Sequence, residues 1–221
     1  MERSQIAIII PAFNEAATIS AVISNVHEYG IPIVIDDGSS DLTSTLALAA
    51  GAEVVTHSDN IGYDGALNSG FARAAILGCR YAITIDADGQ HNPAQLREFI
   101  DRLDQGFVLV LGVRDRLQRF SEKIFAITAK LLWGISDPLC GLKGYAMVIY
   151  SRVGYFDSFK SIGTQLAVFT IVQGCSMTEL PVLTRERQDK PRFGSGLLAN
   201  YKILRAMLIL IWRVGCLRRG N

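Results

Sequence analysis

Short apolar runs alternate with longer stretches of helical rhythm through the first half of the chain. Residues 6–10, 33–35, 52–56, 81–85 and 108–113 read as strands. Between them, residues 16–29, 42–50, 64–77 and 93–105 read as helices. Gly30, Gly51, Gly78 and Gly106 fall just past the helix ends, where a left-handed cap is wanted. Pro93 opens its helix, where the missing N–H costs nothing. Strict alternation of strand and helix predicts right-handed crossovers, a mostly parallel sheet and an α/β fold. Such open sheets bind ligands beyond the C-terminal ends of their strands.

The regularity stops after residue 113. Residues 114–122 are polar and basic, 123–135 have an apolar helical rhythm, and 137–145 read as a glycine-containing turn. A helix at 163–173 and a strand at 177–182 follow. The expected organisation is a single domain over 1–221. Its first half, 6–113, binds one substrate, 114–196 shapes the site for the other, and 197–221 forms an amphipathic C-terminal helix. At 221 residues the chain is long enough for one sizeable core.

Three compositional features change this picture. Hydrophobic residues make up 49% and the mean hydropathy is +0.26, which prompts a search for a membrane span. The best candidate, 197–217, is interrupted by Asn200, Lys202, Arg205 and Arg213, whereas a span needs about 20 mostly apolar residues. An interfacial helix, or one packed on the core, fits better. The 22 basic residues nearly balance the 21 acidic ones, which argues against nucleic acid as a partner. Four widely spaced cysteines without a CxxC pair read as reduced thiols in a cytosolic protein, and the polar 1–5 segment is no signal peptide.

The candidate chemistry sits at the strand ends. The first strand leads into Pro11-Ala12-Phe13-Asn14-Glu15, the second into Asp36-Asp37-Gly38-Ser39, and the fourth into Asp86-Ala87-Asp88-Gly89-Gln90-His91. In a 3-2-1-4 strand order these acidic ends lie side by side, an expensive arrangement unless a cation or hydrogen-bond donors compensate. Asp86 and Asp88, two apart at a strand end, point to the same side. Their oxygens and that of Gln90 suit Mg²⁺ or Mn²⁺ together with a nucleotide diphosphate. Asp36 and Asp37 either form a capped turn or accept hydrogen bonds from a base or ribose. Phe13 offers a stacking surface for a base, Glu15 a polar contact, and Asn14 a helix cap. Neither the G-x-G-x-x-G of dinucleotide folds nor a P-loop occurs.

These three segments, in this order and spacing, resemble the signature of inverting family 2 glycosyltransferases of the GT-A fold. Gly112-Val113-Arg114, the 137–141 segment Asp-Pro-Leu-Cys-Gly, Ile162-Gly163 and Glu179-Leu180-Pro181-Val182 are similar to the branch of dolichol-phosphate mannose synthases and polyprenyl-phosphate sugar transferases. The likeness runs over about residues 6–211. It implies that Pro11, Phe13, Glu15, Asp36 and Asp37 hold the nucleoside of a UDP- or GDP-sugar donor, with Asp37 at the base. Asp86, Asp88 and Gln90 would bind the metal, and Arg114 would lie by the donor phosphates. Arg187 matches an arginine of a loop that closes on the diphosphate. That loop normally continues to a lysine which is missing here, leaving Lys190 or Arg192 as substitutes. Arg119 matches the arginine that grips the acceptor phosphate, and Asp137 is a further catalytic candidate, either orienting the acceptor-side turn or serving as a base. Arg116 and Arg185 read as surface charges.

One absence bears on the acceptor. A sugar hydroxyl needs a general base, and family members with such acceptors supply an acid near the helix that begins here at Gly163. This chain has Gln165 there. A phosphate is already anionic and needs no base, so a polyprenyl-phosphate lipid is the expected acceptor. The expected location is the cytoplasmic face of the membrane, peripherally bound through helix 197–212, the apolar 124–133 helix and the basic cluster at 213–219. The alternatives are a family 2 enzyme extending a glycan through a hydroxyl, a nucleotidyltransferase, and a binding module without activity. The first loop lacks the glycines and lysines of a nucleotidyltransferase, and intact Asp86, Asp88 and Gln90 oppose the inactive module.

Overall fold

A seven-stranded sheet carries the molecule. Its strands are β1 (Ile6–Ala12), β2 (Ile31–Asp36), β3 (Glu53–Thr56), β4 (Tyr81–Thr84), β5 (Leu109–Arg114), β6 (Lys143–Ala146) and β7 (Met177–Val182). They are arranged β3-β2-β1-β4-β6-β5-β7. All neighbours pair in parallel except β6, which runs antiparallel to both β4 and β5. The structure is a computed structural model that describes residues 1–117, 119–184 and 196–219, with side chains described through residue 215.

The helices are α1 (Ile19–Val26), α2 (Thr43–Ala49), α3 (Tyr63–Ile76), α4 (Leu96–Asp104), α5 (Phe120–Trp133), α6 (Met147–Val153), α7 (Gln165–Val172) and α8 (Leu197–Arg219). They cover both faces of the sheet, which is why the strands read as unbroken apolar runs. Ile6, Ile8, Ile10 and Val34 face one cluster with residues of α1 and α4, including Ile23, Phe99 and Leu103. Ala7, Ile9, Ile33 and Ile35 face the other, with Phe71 of α3, Phe125 of α5 and Leu210 of α8. Phe71 stacks on Phe156 at 4.6 Å between ring centroids and meets Tyr145 edge-on at 5.4 Å. These three rings tie α3 to β6 and to the chain beyond α6.

The sequence expectation for the first half survives with shifted boundaries. The 3-2-1-4 order is present, and Ala12 pairs with Asp36 while Ile9 pairs with Thr84. The ends of β1, β2 and β4 therefore open at one edge. α1 begins at Ile19 rather than residue 16, because Asn14 adopts a left-handed φ of 55° and the chain turns once more before the helix. Gly51, Gly78 and Gly106 have the left-handed backbone expected of helix caps, but Gly30 does not. Gly30 answers a different demand: a Cβ there would lie 2.6 Å from the Ile6 carbonyl oxygen. A 3₁₀ turn, Pro93–Gln95, precedes α4, and the Asn92 side chain accepts from the Ala94 N–H.

The second half departs further from expectation. Residues 137–145 do not form a single turn: β6 begins at Lys143 and inserts between β4 and β5. α6 follows at once and ends at Gly154, which is left-handed. α5 starts at Phe120, three residues earlier than the apolar rhythm indicated, with Arg119 at its N-cap.

Candidate functional site

The sheet edge opens into a cleft of about 530 Å³. Pro11, Phe13 and Glu15 line it from the end of β1, Asp37 from the end of β2, and Asp86, Asp88 and Gln90 from the end of β4. Arg114, Arg119 and Glu122 close it from β5 and the start of α5. Leu139, Gly141, Ile162, Lys202 and Ile203 complete the wall from the second half of the chain. Nine of the candidate residues thus share one cavity although they come from sequence positions as far apart as 11 and 119. Arg187 and Arg192, with Arg185 and Lys190, lie outside the described residues.

Asp36 and Asp137 are not in the lining. Asp36 is buried, and its carboxylate accepts from the Ser39 N–H, closing the turn that follows β2. Among the described contacts Asp36 thus shapes the turn, and Asp37 is the member of the pair that lines the cleft. Asp137 is buried beneath Arg114, which donates to it from Nε at 2.7 Å and from a terminal nitrogen at 3.0 Å. It also accepts from the backbone N–H groups of Arg114 and Leu139. Asp137 therefore acts on the cleft through Arg114 and the 137–141 turn. Burial works against the Arg114 charge, but the bonds to Asp137 outweigh it and raise the pKa above the ordinary arginine value.

Asp37 is more heavily engaged than the sequence suggested. One carboxylate oxygen takes the His57 Nδ1 at 2.7 Å and the Ile61 N–H at 3.0 Å, and the other takes the Gly62 N–H at 2.8 Å. The other ring nitrogen, Nε2, lies 2.8 Å from the Ser69 hydroxyl, so both sides of the imidazole are engaged. Asp37 thus pins the loop that brings Asn60 and Gly62 to the cleft wall. Gly38, left-handed at φ 75°, lets this turn lie against the same loop, since a Cβ there would meet the Asp59 carbonyl carbon at 2.8 Å.

Asp86 sits lower in the cleft. The Tyr63 hydroxyl donates to one of its oxygens at 3.4 Å, and His91 Nε2 approaches the other at 3.3 Å. Burial works to raise its pKa, but His91, the Arg114 charge and the Tyr63 hydrogen bond together hold it below the usual carboxylate value. Asp88 accepts from the Gln90 N–H at 3.0 Å, which folds Gln90 back toward the carboxylates. Two carboxylates and an amide oxygen form a hard, all-oxygen donor set, which fits Mg²⁺ or Mn²⁺. Among the described residues no group of three or more His, Cys, Asp or Glu converges on a metal position, and a metal held here would complete its shell with substrate oxygens and water.

The sequence reading missed Glu122, Tyr63, His57 and the Asn60–Gly62 loop. Glu122 is buried in the cleft wall between two guanidiniums, 3.1 Å from Arg119 and 3.6 Å from Arg114. Its signal was the i, i+3 spacing from Arg119 at a helix start. Glu122 thus joins Arg119 to Arg114 through one carboxylate. Arg116, read as a surface charge, is exposed.

Carboxylates along the strand ends, with Arg114 and Arg119 in the same cleft wall and Phe13 at its β1 end, lie together on a GT-A glycosyltransferase fold. Residues 7–134 match the model of Glycosyl transferase family 2, and the chain belongs to that family. Among its relatives, the UDP-N-acetylglucosamine–dolichyl-phosphate N-acetylglucosaminyltransferase of Methanococcus voltae is 34% identical over 93% of this chain and 95% of that protein. The polyprenol monophosphomannose synthase of Mycolicibacterium smegmatis is 28% identical over 82% of this chain and 77% of that protein. The fold is shared with the Mycobacterium tuberculosis glucosyl-3-phosphoglycerate synthase solved with Mn²⁺ and UDP-glucose. That match has a TM-score of 0.76 and 21% identity, over 96% of this chain and 79% of that one.

Proposed function

We propose that this glycosyltransferase moves a sugar from a UDP- or GDP-sugar onto a polyprenyl or dolichyl phosphate, with inversion at the anomeric carbon. The observation that carries this reading is the cationic acceptor side. Arg119 and Lys202 line the cleft there, and Glu122 in the same wall is paired with Arg119 and with Arg114. Gln165, which stands where hydroxyl-using members carry an acid, is bound to Ser158 through its side chain. The dolichyl-phosphate and polyprenol-phosphate relatives support the same acceptor class.

In the proposed reaction a phosphate oxygen of the acceptor attacks the anomeric carbon, and the bond from that carbon to the nucleoside diphosphate breaks. The electron pair leaves with the diphosphate, and the anionic acceptor has no proton to lose. Asp86, Asp88 and Gln90 would hold Mg²⁺ or Mn²⁺, which when bound supplies positive charge for the leaving diphosphate. Arg114, fixed by Asp137, would add preorganised charge on the same side. Phe13 and the loop pinned by Asp37 would hold the nucleoside, and Glu15 would contact it from the β1 end. Arg187 and Arg192 are proposed to close over the diphosphate. The first half, 6–113, serves the donor and 114–196 the acceptor.

A lipid acceptor requires a membrane surface. Among the described residues no helix is long and apolar enough to cross a membrane. α8 buries Ala199, Ile203, Ala206, Leu210 and Val214 but leaves Leu197, Tyr201, Leu208 and Trp212 exposed. Leu204 and Ile211 are half-buried. α5, packed against α8, exposes Phe120, Ile127 and Leu131. We infer peripheral binding at the cytoplasmic membrane face through these residues, helped by Lys202, Arg205 and Arg213. Flotation with anionic vesicles tests it: the protein should float, the double variant Leu131→Glu and Trp212→Glu should not, and wild-type protein that stays in the dense fraction at low salt would refute it.

A further inference from the structure

The connection between α6 and α7 is held more firmly than a surface turn requires. Lys160, Ile162 and Gly163 all have left-handed backbone, with φ of 60°, 58° and 68°. Glycine takes that conformation freely, but for a β-branched isoleucine it is strained, and such strain persists only where the surroundings enforce it. Here two charged side chains from elsewhere enforce it. Asp64 of α3 accepts from the Ile162 N–H at 3.3 Å and from the Gly163 N–H at 2.6 Å. Lys143 of β6, itself buried, donates to the Gly163 carbonyl at 2.7 Å and to the Pro138 carbonyl at 2.8 Å. Burial pushes the Asp64 carboxyl up to about 6 and the Lys143 ammonium down to about 8, so neither charge is where solvation would put it.

The consequence of this clamp appears in the cleft. Lys143 fixes two carbonyls at once, and each belongs to a residue next to one in the wall: Pro138 precedes Leu139, and Gly163 follows Ile162. Leu139 and Ile162, with Ile203 of α8, are apolar members of the same wall that carries Arg119 and Lys202. We propose that Ile162 is a specificity-determining residue that receives the hydrocarbon next to the acceptor phosphate, and that Lys143 and Asp64 are positioning residues that hold it in the cleft. This rests on the prenyl-phosphate reading above. A cationic patch and an apolar wall in one cleft fit an acceptor whose phosphate is followed at once by hydrocarbon. They fit a sugar poorly, because its hydroxyls would lose water against Leu139 and Ile162 without gaining partners.

The test uses the full chain with two single variants and a short polyprenyl phosphate. Ile162→Gly keeps the left-handed backbone and removes the side chain; Lys143→Met keeps the stem and removes the donors. Both should raise the acceptor KM about tenfold or more, the scale of lost apolar contact in a substrate pocket. Affinity for the nucleoside diphosphate with Mn²⁺, measured by calorimetry, and the donor KM should stay at wild-type values. Ile162→Gly should also weaken inhibition by a non-transferable prenyl phosphonate while leaving inhibition by inorganic phosphate unchanged. A turn that matters only for folding would lower the melting temperature, kcat and donor affinity together, which would overturn the proposal. So would a folded Ile162→Gly protein with an unchanged acceptor KM, which remains decisive even if Lys143→Met does not fold. Wild-type protein that glycosylates a hydroxyl acceptor but no prenyl phosphate would instead overturn the reading on which the proposal rests, before any variant is compared.

Discussion

Replacing Gly141 with alanine should disable the site while leaving the fold largely intact. Gly141 has no left-handed backbone, so alanine is conformationally acceptable there. Space is the obstacle. A Cβ would lie 2.2 Å from Asp86 Oδ2 and 2.6 Å from both its Cγ and its Oδ1. Carbon–oxygen contacts normally begin near about 3.3 Å, so the whole carboxylate must move by about 1 Å. Moving it gives up the contacts with Tyr63 and His91 that aim it into the cleft. A misplacement of about 1 Å at a reacting centre costs about 100-fold in rate. Overpacking of one methyl costs about 1–3 kcal/mol of stability. Gly141→Ala should therefore lose about 100-fold in sugar transfer, with weakened Mn²⁺-dependent nucleotide binding and a modestly lowered melting temperature. Gly215→Ala, where a Cβ meets nothing within 4 Å, is the control. Gly141→Ala protein that binds nucleotide and metal normally and turns over at the wild-type rate would refute the reasoning.

Asp88→Ala should lower turnover by at least about 100-fold, the scale for removing a main electrostatic support, and chelation with EDTA should abolish wild-type activity; full activity in EDTA would contradict the metal assignment. The raised pKa of Asp64, about 6, means that the folded state holds this proton more tightly than the unfolded chain. Its contribution to stability is complete below about pH 4 and is lost as the pH rises through 6, on the order of 2–3 kcal/mol in all. In urea melts, Asp64→Asn should flatten that part of the stability profile, and an unchanged slope between pH 4 and 6 would count against the burial argument. Phe71→Ala should cost about 3–5 kcal/mol of stability, because it empties the ring cluster that joins α3 to β6.

The acidic edge was legible because it is local. Each of Asp37, Asp86 and Asp88 follows a strand by one or a few residues, and strand order alone brings such residues together. What pure pattern could not separate was Asp36 from Asp37. They are adjacent, yet one closes a turn and the other holds a loop that begins twenty residues later. β6 was missed because it is four residues long and contains Lys143 and Gly144, which read as turn residues until the buried ammonium is seen to bridge two carbonyls. Asp137 looked like a site residue because its partner, Arg114, is 23 positions away and contact at that distance has no signature in one sequence. Glu122 carried a short-range signal, but its pairing with Arg114 depends on how the start of α5 meets the end of β5.

The most direct measurement of the central claim is product analysis after incubation of the purified protein with a panel of UDP- and GDP-sugars, Mn²⁺ and a short polyprenyl phosphate. The account predicts a sugar joined to the lipid through a single phosphate, formed from one nucleotide class, released together with the nucleoside diphosphate, and absent when the metal is chelated. Transfer of the sugar to a hydroxyl acceptor, with the polyprenyl phosphate left unmodified across the whole panel, would contradict it.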